Sequence, residues 1–574
     1  MMRFTGLVLI CLLFSFGSRA QDVAAMNAQN KSLNYEETIL AYQNLDKLYP
    51  NARLFTKGLT DIGRPLHLFV ISSDQIFDPV AARTKNKSII LINNGIHPGE
   101  PDGIDASVRL SQAYLDGKLP LPDNVVICII PVYNIDGSLR QGCCTRANQN
   151  GPVSQGFRGN AQNLDLNRDF IKCDSENARS FTEIFREWDP DVFIDTHVSN
   201  GSDYQYTMTL ISTQHNKLGG EAGRFIKNKM TPALFDRMKK AGHEMAPYVN
   251  TRKYDFPPEN GIFGFMETPR YASGYAALFG SLSFVPETHM LKPFPKRVDA
   301  TIKLLEIMVN YTSENSAEIQ EVRKKDREAV KKQSSFVLAW EADTTHFEMI
   351  PFHGFEAEYR TSRVTGLEQL YYNTRKPFTR ETRFYDHYLP VEVVNKPSFY
   401  VVPQAWKKVI ERMQLNKVGM SRLESDTSLL VGTYIIDDFK SGTAPYEGHY
   451  LHHSVKLRHE RKTLRYHKGD YLIPVNQESN RYIVETLEPH APDSWFAWGF
   501  FDAILQQKEW FSAYVFDEMA EQILKENPAL KNEFEEKRKN DPEFSKSSWQ
   551  QLYFIYRNSA YFEDLKRYPV GRLE

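Results

Sequence analysis

Five short apolar runs punctuate the first half of the chain: LHLFVIS (66–72), SIILI (88–92), VVICIIP (125–131), DVFID (191–195) and GSLSFVP (280–286). They are short and apolar at consecutive positions, which predicts strands covered on both faces. Stretches with helical spacing separate them, around 104–115, 175–188, 218–241 and 296–311. This alternation predicts an α/β domain over 21–315, a mixed, mostly parallel sheet covered by helices.

Beyond residue 315 the pattern changes. NSAEIQEVRKKDREAVKKQ (315–333) is charged and helical, which predicts a solvated linker helix over 316–334. From 335 to 485 short alternating segments (SFVLAW, EAEYR, FYVVP, GTYIID and RYIVETL) predict a β-rich accessory domain with one helix near 404–414. The remainder, 486–574, reads as a helical, aromatic segment, with PDSWFAWGFFDAILQQKEW (492–510) as a helix packed on a domain interface. No internal repeat is visible.

Composition narrows this picture. At 574 residues, 41% hydrophobic and 25% charged, the chain reads as globular with two or three domains. A formal net charge of -2 gives no overall pull toward nucleic acid or anionic lipid. Residues 1–20, MMRFTGLVLICLLFSFGSRA, combine a basic start, an apolar stretch from Leu7 to Phe16 and small residues at Ser18 and Ala20. That is the layout of a secretory signal peptide, and the apolar stretch is too short to span a membrane. Export to the periplasm or the exterior leaves Cys128, Cys143, Cys144 and Cys173, and predicts a bridge from Cys173 to Cys143 or Cys144. No C-x-x-C spacing suggests a cysteine-based metal or redox site.

Candidate chemistry gathers at strand ends. His97 and Glu100 follow SIILI, His197 follows DVFID, and Glu287 follows GSLSFVP. Ligands bind at the carboxyl edge of open α/β sheets, and two histidines with a carboxylate are a common zinc set. Between them lie PVYNIDG (131–137), TRANQNG (145–151) and NLDLNRDF (163–170), which bring Arg146 and Arg168 close in sequence to the proposed ligands. Arginine suits bidentate capture of a carboxylate and stabilisation of oxyanion charge.

At this point residues 30–315 resemble the zinc metallocarboxypeptidases of the carboxypeptidase A type, peptidase family M14. The motifs that carry the resemblance are His97-Pro98-Gly99-Glu100, Asn134-Ile135-Asp136-Gly137, Arg146, Asp165-Leu166-Asn167-Arg168, His197 and Glu287, in the family's order. The resemblance implies a zinc-carboxypeptidase-like fold and one Zn2+ held by His97, Glu100 and His197. It implies Asp165 as the carboxylate that orients a ligand histidine, and Asn167 and Arg168 as the grip on a peptide's terminal carboxylate. Arg146 would polarise the scissile carbonyl and Glu287 would act as general base. The family's mobile tyrosine matches Tyr271 or its rival Tyr275.

One position departs from the family. Digestive members carry an arginine where this chain has Gly99, which implies a lost cationic contact in the substrate groove. The pocket for the substrate's last side chain is expected between about 255 and 280, where an inward Arg270 would favour acidic termini. An amidase of related fold, a carboxypeptidase for cell-wall stem peptides and a non-catalytic binding protein are the alternative readings. HGFE (353–356) and the His-rich stretch 448–474 lack partner motifs and read as decoys.

Overall fold

The computed structural model describes residues 22–251, 258 and 260–574, so the segment assigned to export lies outside the described residues. Ten strands organise the first half: β1 (Ala52–Leu59), β2 (Pro65–Ile71), β3 (Ser88–Asn93), β4 (Val125–Ile130), β5 (Val192–Asp195), β6 (His197–Ser199), β7 (Met208–Ser212), β8 (Ala246–Pro247), β9 (Ile262–Phe263) and β10 (Leu282–His289). Nine of them form one sheet in the order β1-β2-β4-β3-β5-β10-β7-β8, with β6 also paired to β10. β4, β3, β5 and β10 run parallel at its centre, whereas β1, β2 and β7 make antiparallel pairs.

Strand periodicity explains why the central runs are uniformly apolar. Ile89 and Leu91 of β3 join a core with Phe181, Ile184, Phe185 and Trp188 of the helix Glu176–Trp188. Ile90 and Ile92 point the other way, into a core with Val108, Leu110, Val298 and Leu304 of the helices Asp102–Leu115 and Phe294–Glu314. Alternate residues face opposite layers, so both registers must be hydrophobic.

The second half contains β11 (Ser335–Ala342), β12 (Glu348–Thr361), β13 (Glu368–Tyr385), β14 (Tyr388–Asn395), β15 (Phe399–Val402), β16 (Ser421–Arg422), β17 (Thr427–Ser441), β18 (His452–Tyr466), β19 (Tyr471–Pro474) and β20 (Gly571–Leu573). The sheet β16-β19-β15-β20-β17-β18 takes its β20 from the end of the chain, and β9 adds to the β12–β13 hairpin. Helices between Ala513 and Arg557 close on a small core of Phe516, Phe534, Phe544, Leu552 and Ile555.

Several local expectations are corrected. RYIVETL is helical, part of Asn480–Leu487, because Ile483, Val484 and Leu487 are buried together by tertiary packing that overrides their β propensity. Residues 492–510 form turns and a short 3-10 helix, Asp502–Leu505, around buried Trp495, Trp498 and Phe501. The charged helix Ser316–Lys332 is docked on one side: Ile319 and Val322 are buried, and Arg323 pairs with Asp191 and donates to the Gly280 carbonyl at 2.9 Å. Cys143 and Cys144 are bonded to each other on an exposed loop, whereas Cys173 is a buried thiol, so the expected bridge to Cys173 does not form.

Candidate active site

Backbone register brings the strand-end residues together. Asn93 of β3 pairs with Asp195 of β5, and His197 of β6 pairs with Glu287 of β10. The turn after β3 carries His97 and Glu100, and Asn134 ties it down by donating to the Ile96 and Arg158 carbonyls at 3.3 and 2.9 Å. His97, Glu100, Asn167, Arg168, His197 and Glu287 all line one cavity of about 900 Å³.

The two histidines are aimed. His97 Nε2 lies 2.8 Å from Asp165 Oδ1, and His197 Nε2 lies 2.9 Å from Asp195 Oδ2. Each imidazole that donates Nε2–H to its carboxylate has its Nδ1 lone pair free. Those Nδ1 atoms face Glu100 at 3.3 and 3.2 Å, and His97 Nδ1 is buried with no hydrogen-bond partner. Two imidazole nitrogens and a carboxylate converging around an unsatisfied atom fit a divalent transition metal. Among the described residues, one other group is close enough to hold a metal: Asp343, His346 and His387.

Electrostatics sharpen the division of roles. Burial pushes Asp165 upward, but His97, Arg158 and Arg168 outweigh it and hold the carboxyl well below the usual range. Asp165 therefore stays ionised against its histidine. Glu287 is opposite: burial, reinforced by Glu100 and opposed by His197, pushes its carboxyl up to about 8. Glu287 in the cavity and Asp165 behind His97 thus hold their protons very differently, a separation typical of acid–base sites.

Two guanidinium groups reach Glu100. Arg146 donates to Glu100 Oε1 at 2.6 Å and to the Val198 carbonyl at 2.8 Å, and Gln149 braces it at 2.6 Å. Arg158 spans Asp165 at 2.9 Å and Glu100 at 3.3 Å, and remains 46% exposed against 16% for Arg146. Gly99 explains how Arg146 fits: a Cβ there would stand 2.8 Å from Arg146 Cδ.

Asn167 accepts from the Ala272 N–H at 3.1 Å, and the Arg168 guanidinium lies 4.3 Å from the centre of the Tyr271 ring. Tyr271 lines the cavity, whereas Tyr275 is fully buried and donates to Asn416 Oδ1 at 2.6 Å. Arg270 is turned away, bonded to Asp493 at 2.8 Å and stacked 5.0 Å over Trp498, so it presents no charge to the cavity. Positions 255–257 and 259 of the expected pocket lie outside the described residues.

Sequence reasoning missed four participants. Asp195 stands two positions before His197, on the same face of an extended segment. Arg158 stands ten before Arg168, in GFRGNAQNLDLNR. Glu267 lines the cavity and is held by the Ser273 N–H at 2.9 Å. The fourth comes from the accessory region: Glu447 accepts from the Asp165 N–H, next to Tyr446, whose ring centre lies 5.6 Å from the Arg270 guanidinium. The decoys stay apart from the site. His353 and Glu356 lie on β12, bonded to Thr379 and Arg380, and most of the His-rich stretch forms β18.

Residues 40–216 match the family model described as zinc carboxypeptidase. No curated protein matches the chain. Among solved structures, a metallo-carboxypeptidase from Burkholderia cenocepacia is similar at 18% identity and a TM-score of 0.35, over 48% of this chain and 69% of that one. Carboxypeptidase A from Helicoverpa armigera is similar at 17% identity and a TM-score of 0.36, over 52% of this chain and 80% of that one.

Proposed function

We propose that residues 40–216, which match the family model described as zinc carboxypeptidase, belong to a zinc carboxypeptidase domain, and that the chain hydrolyses the last peptide bond of peptides with a free terminal carboxylate. The observation that carries this reading is that the metal-binding donors, the Asn167–Arg168 pair and Glu287 open on one cavity.

In this reading His97, Glu100 and His197 hold one Zn2+. Bound there, the ion supplies a Lewis acid that polarises the scissile carbonyl and acidifies the attacking water. Asp165 and Asp195 keep the two imidazoles in the tautomer that coordinates. Arg168 grips the terminal carboxylate with Asn167 beside it, which limits attack to the last bond. Glu287 takes the proton from the attacking water and returns it to the leaving amine. Arg146 and Arg158 offer N–H groups to the developing oxyanion. Tyr271, stacked on Arg168, closes over bound substrate. We also read residues 1–20 as an export signal, which places the enzyme in the periplasm or outside the cell.

Mass spectrometry of a peptide incubated with the enzyme tests the reading. It requires single residues lost in turn from the carboxyl end. Internal cleavage, or equal cleavage of the C-terminal amide, would sink it.

A further inference from the structure

We infer that Asp343, His346 and His387 form a second zinc site, separate from the cavity, that clasps the accessory strands. The site lies where the β11–β14 ladder ends: the Asp343 N–H donates to the His387 carbonyl at 2.9 Å, immediately beyond the register pair Ala342 and Tyr388. The turn into β12 brings His346 back over the same carboxylate.

The donor types match those of the first site. Thr345 donates to Asp343 Oδ1 through its N–H at 2.8 Å and its hydroxyl at 2.6 Å, which fixes the carboxylate, and Oδ2 is hydrogen-bonded to His346 Nδ1, a contact that a bound ion would replace. Oδ2 faces both imidazoles, 2.5 Å from His346 Nδ1 and 3.4 Å from His387 Nδ1. His387 Nδ1 is buried with no hydrogen-bond partner. The two rings are 5.8 Å apart, against 4.9 Å for His97 and His197. Two Nδ1 atoms and one carboxylate group therefore converge twice among the described residues, on both oxygens of Glu100 and on Oδ2 of Asp343, and the donor types suit Zn2+.

The differences set the expected strength. His346 is 76% exposed, and no carboxylate receives its Nε2–H as Asp165 does for His97. Outer partners of that kind change metal affinity by ~10–100-fold. The second site is accordingly the weaker and more exchangeable one, with solvent completing the coordination.

Its position gives it a structural task. Next to His387, Asp386 receives Lys227 Nζ at 2.9 Å and lies 3.5 Å from His215, while Gln214 donates to the Asp386 carbonyl at 3.0 Å. An ion on Asp343, His346 and His387 would lock two chain segments, the 343–346 turn and the turn at 387, at the corner that rests on the catalytic layer. It has no access to the scissile bond.

Zinc titration of the full-length His97→Ala/His197→Ala protein, followed by calorimetry and by cobalt absorption, isolates this site from the catalytic one. About one ion per chain is expected, abolished when His346→Ala and His387→Ala are added. In the otherwise intact enzyme, His346→Ala/His387→Ala should keep one tightly held zinc and full peptidase activity, and lose the rise in Tm that excess zinc gives. If the catalytic-site double variant fails to fold, zinc content of the intact enzyme decides: two ions falling to one supports the site. One ion in both proteins, or zinc still bound by the variant that lacks all four histidines, overturns it.

Discussion

Glu447 accepts a hydrogen bond from the Asp165 backbone N–H at 2.7 Å, across 282 positions of sequence. The contact joins the loop between β17 and β18 to the residue that orients His97 and precedes the Asn167–Arg168 pair. His449 adds a second tie, to Asp174 at 2.6 Å. The accessory region thus braces from behind the segment that carries Asp165 and the Asn167–Arg168 pair.

Removing that brace should weaken binding more than chemistry. Glu447→Ala is expected to raise KM about fivefold, the equivalent of ~1 kcal/mol for one hydrogen bond, with kcat little changed. Glu447→Gln keeps an acceptor and should restore KM. Steady-state kinetics on one peptide series measures both, and a kcat loss without a KM change would contradict this role.

The pH dependence follows from Glu287. In its proposed role as base it works deprotonated, so activity should fall as pH drops through its pKa. In the metal-free protein burial pushes that carboxyl up to about 8, and a bound cation favours the charged form, so the acid limb of kcat/KM should lie below 8. The same group bears on metal-free stability. A carboxyl whose folded pKa is raised contributes stability below its unfolded value, about 4.3, and that contribution is lost as pH rises through about 8. Glu287→Gln should flatten this part of the stability profile, and cut kcat by about 10²–10⁴ with zinc content unchanged. Denaturant titrations from pH 4 to 9, with metal analysis, check each expectation.

The two arginines should separate. Arg158→Ala, at the more exposed of the two, should lower kcat about 10²–10³-fold with metal retained. Arg146 also braces Glu100, so Arg146→Ala should speed zinc loss to a chelator as well as slow turnover. Equal zinc retention in both variants would contradict the bracing role.

Behind the site, Arg297 is completely buried and grips Asp102 through two nitrogens at 2.9 and 3.1 Å. Asp102 also accepts from the Thr288 hydroxyl, adjacent to Glu287. Arg297→Leu would leave Asp102 buried and unpaired, at a cost of about 3–5 kcal/mol. Urea unfolding should show it, whereas a loss under 1 kcal/mol would mean that water replaces the pair.

Local pattern made much of this site legible. Apolar runs marked β3, β4, β5 and β10, and polar residues at their ends marked the cavity, because a strand's direction fixes where its last residue emerges. Asp195 was readable in principle from its two-residue spacing to His197. Arg158 was hidden because Arg146 was the more obvious cation near the motif, and nothing local distinguishes a bracing guanidinium from a free one. Tyr446 and Glu447 reach Arg270 and Asp165 only through tertiary packing, which leaves no periodic trace. The same packing turned RYIVETL into a helix and sealed Cys173 inside.

The most direct test of the central claim is metal-dependent cleavage of a matched pair of blocked peptides, one ending in a free carboxylate and one in an amide. The enzyme should cleave only the free acid, lose activity on chelation, and regain it with one equivalent of Zn2+ at the catalytic site. Full activity in protein stripped of metal, or equal turnover of the amide, would contradict it.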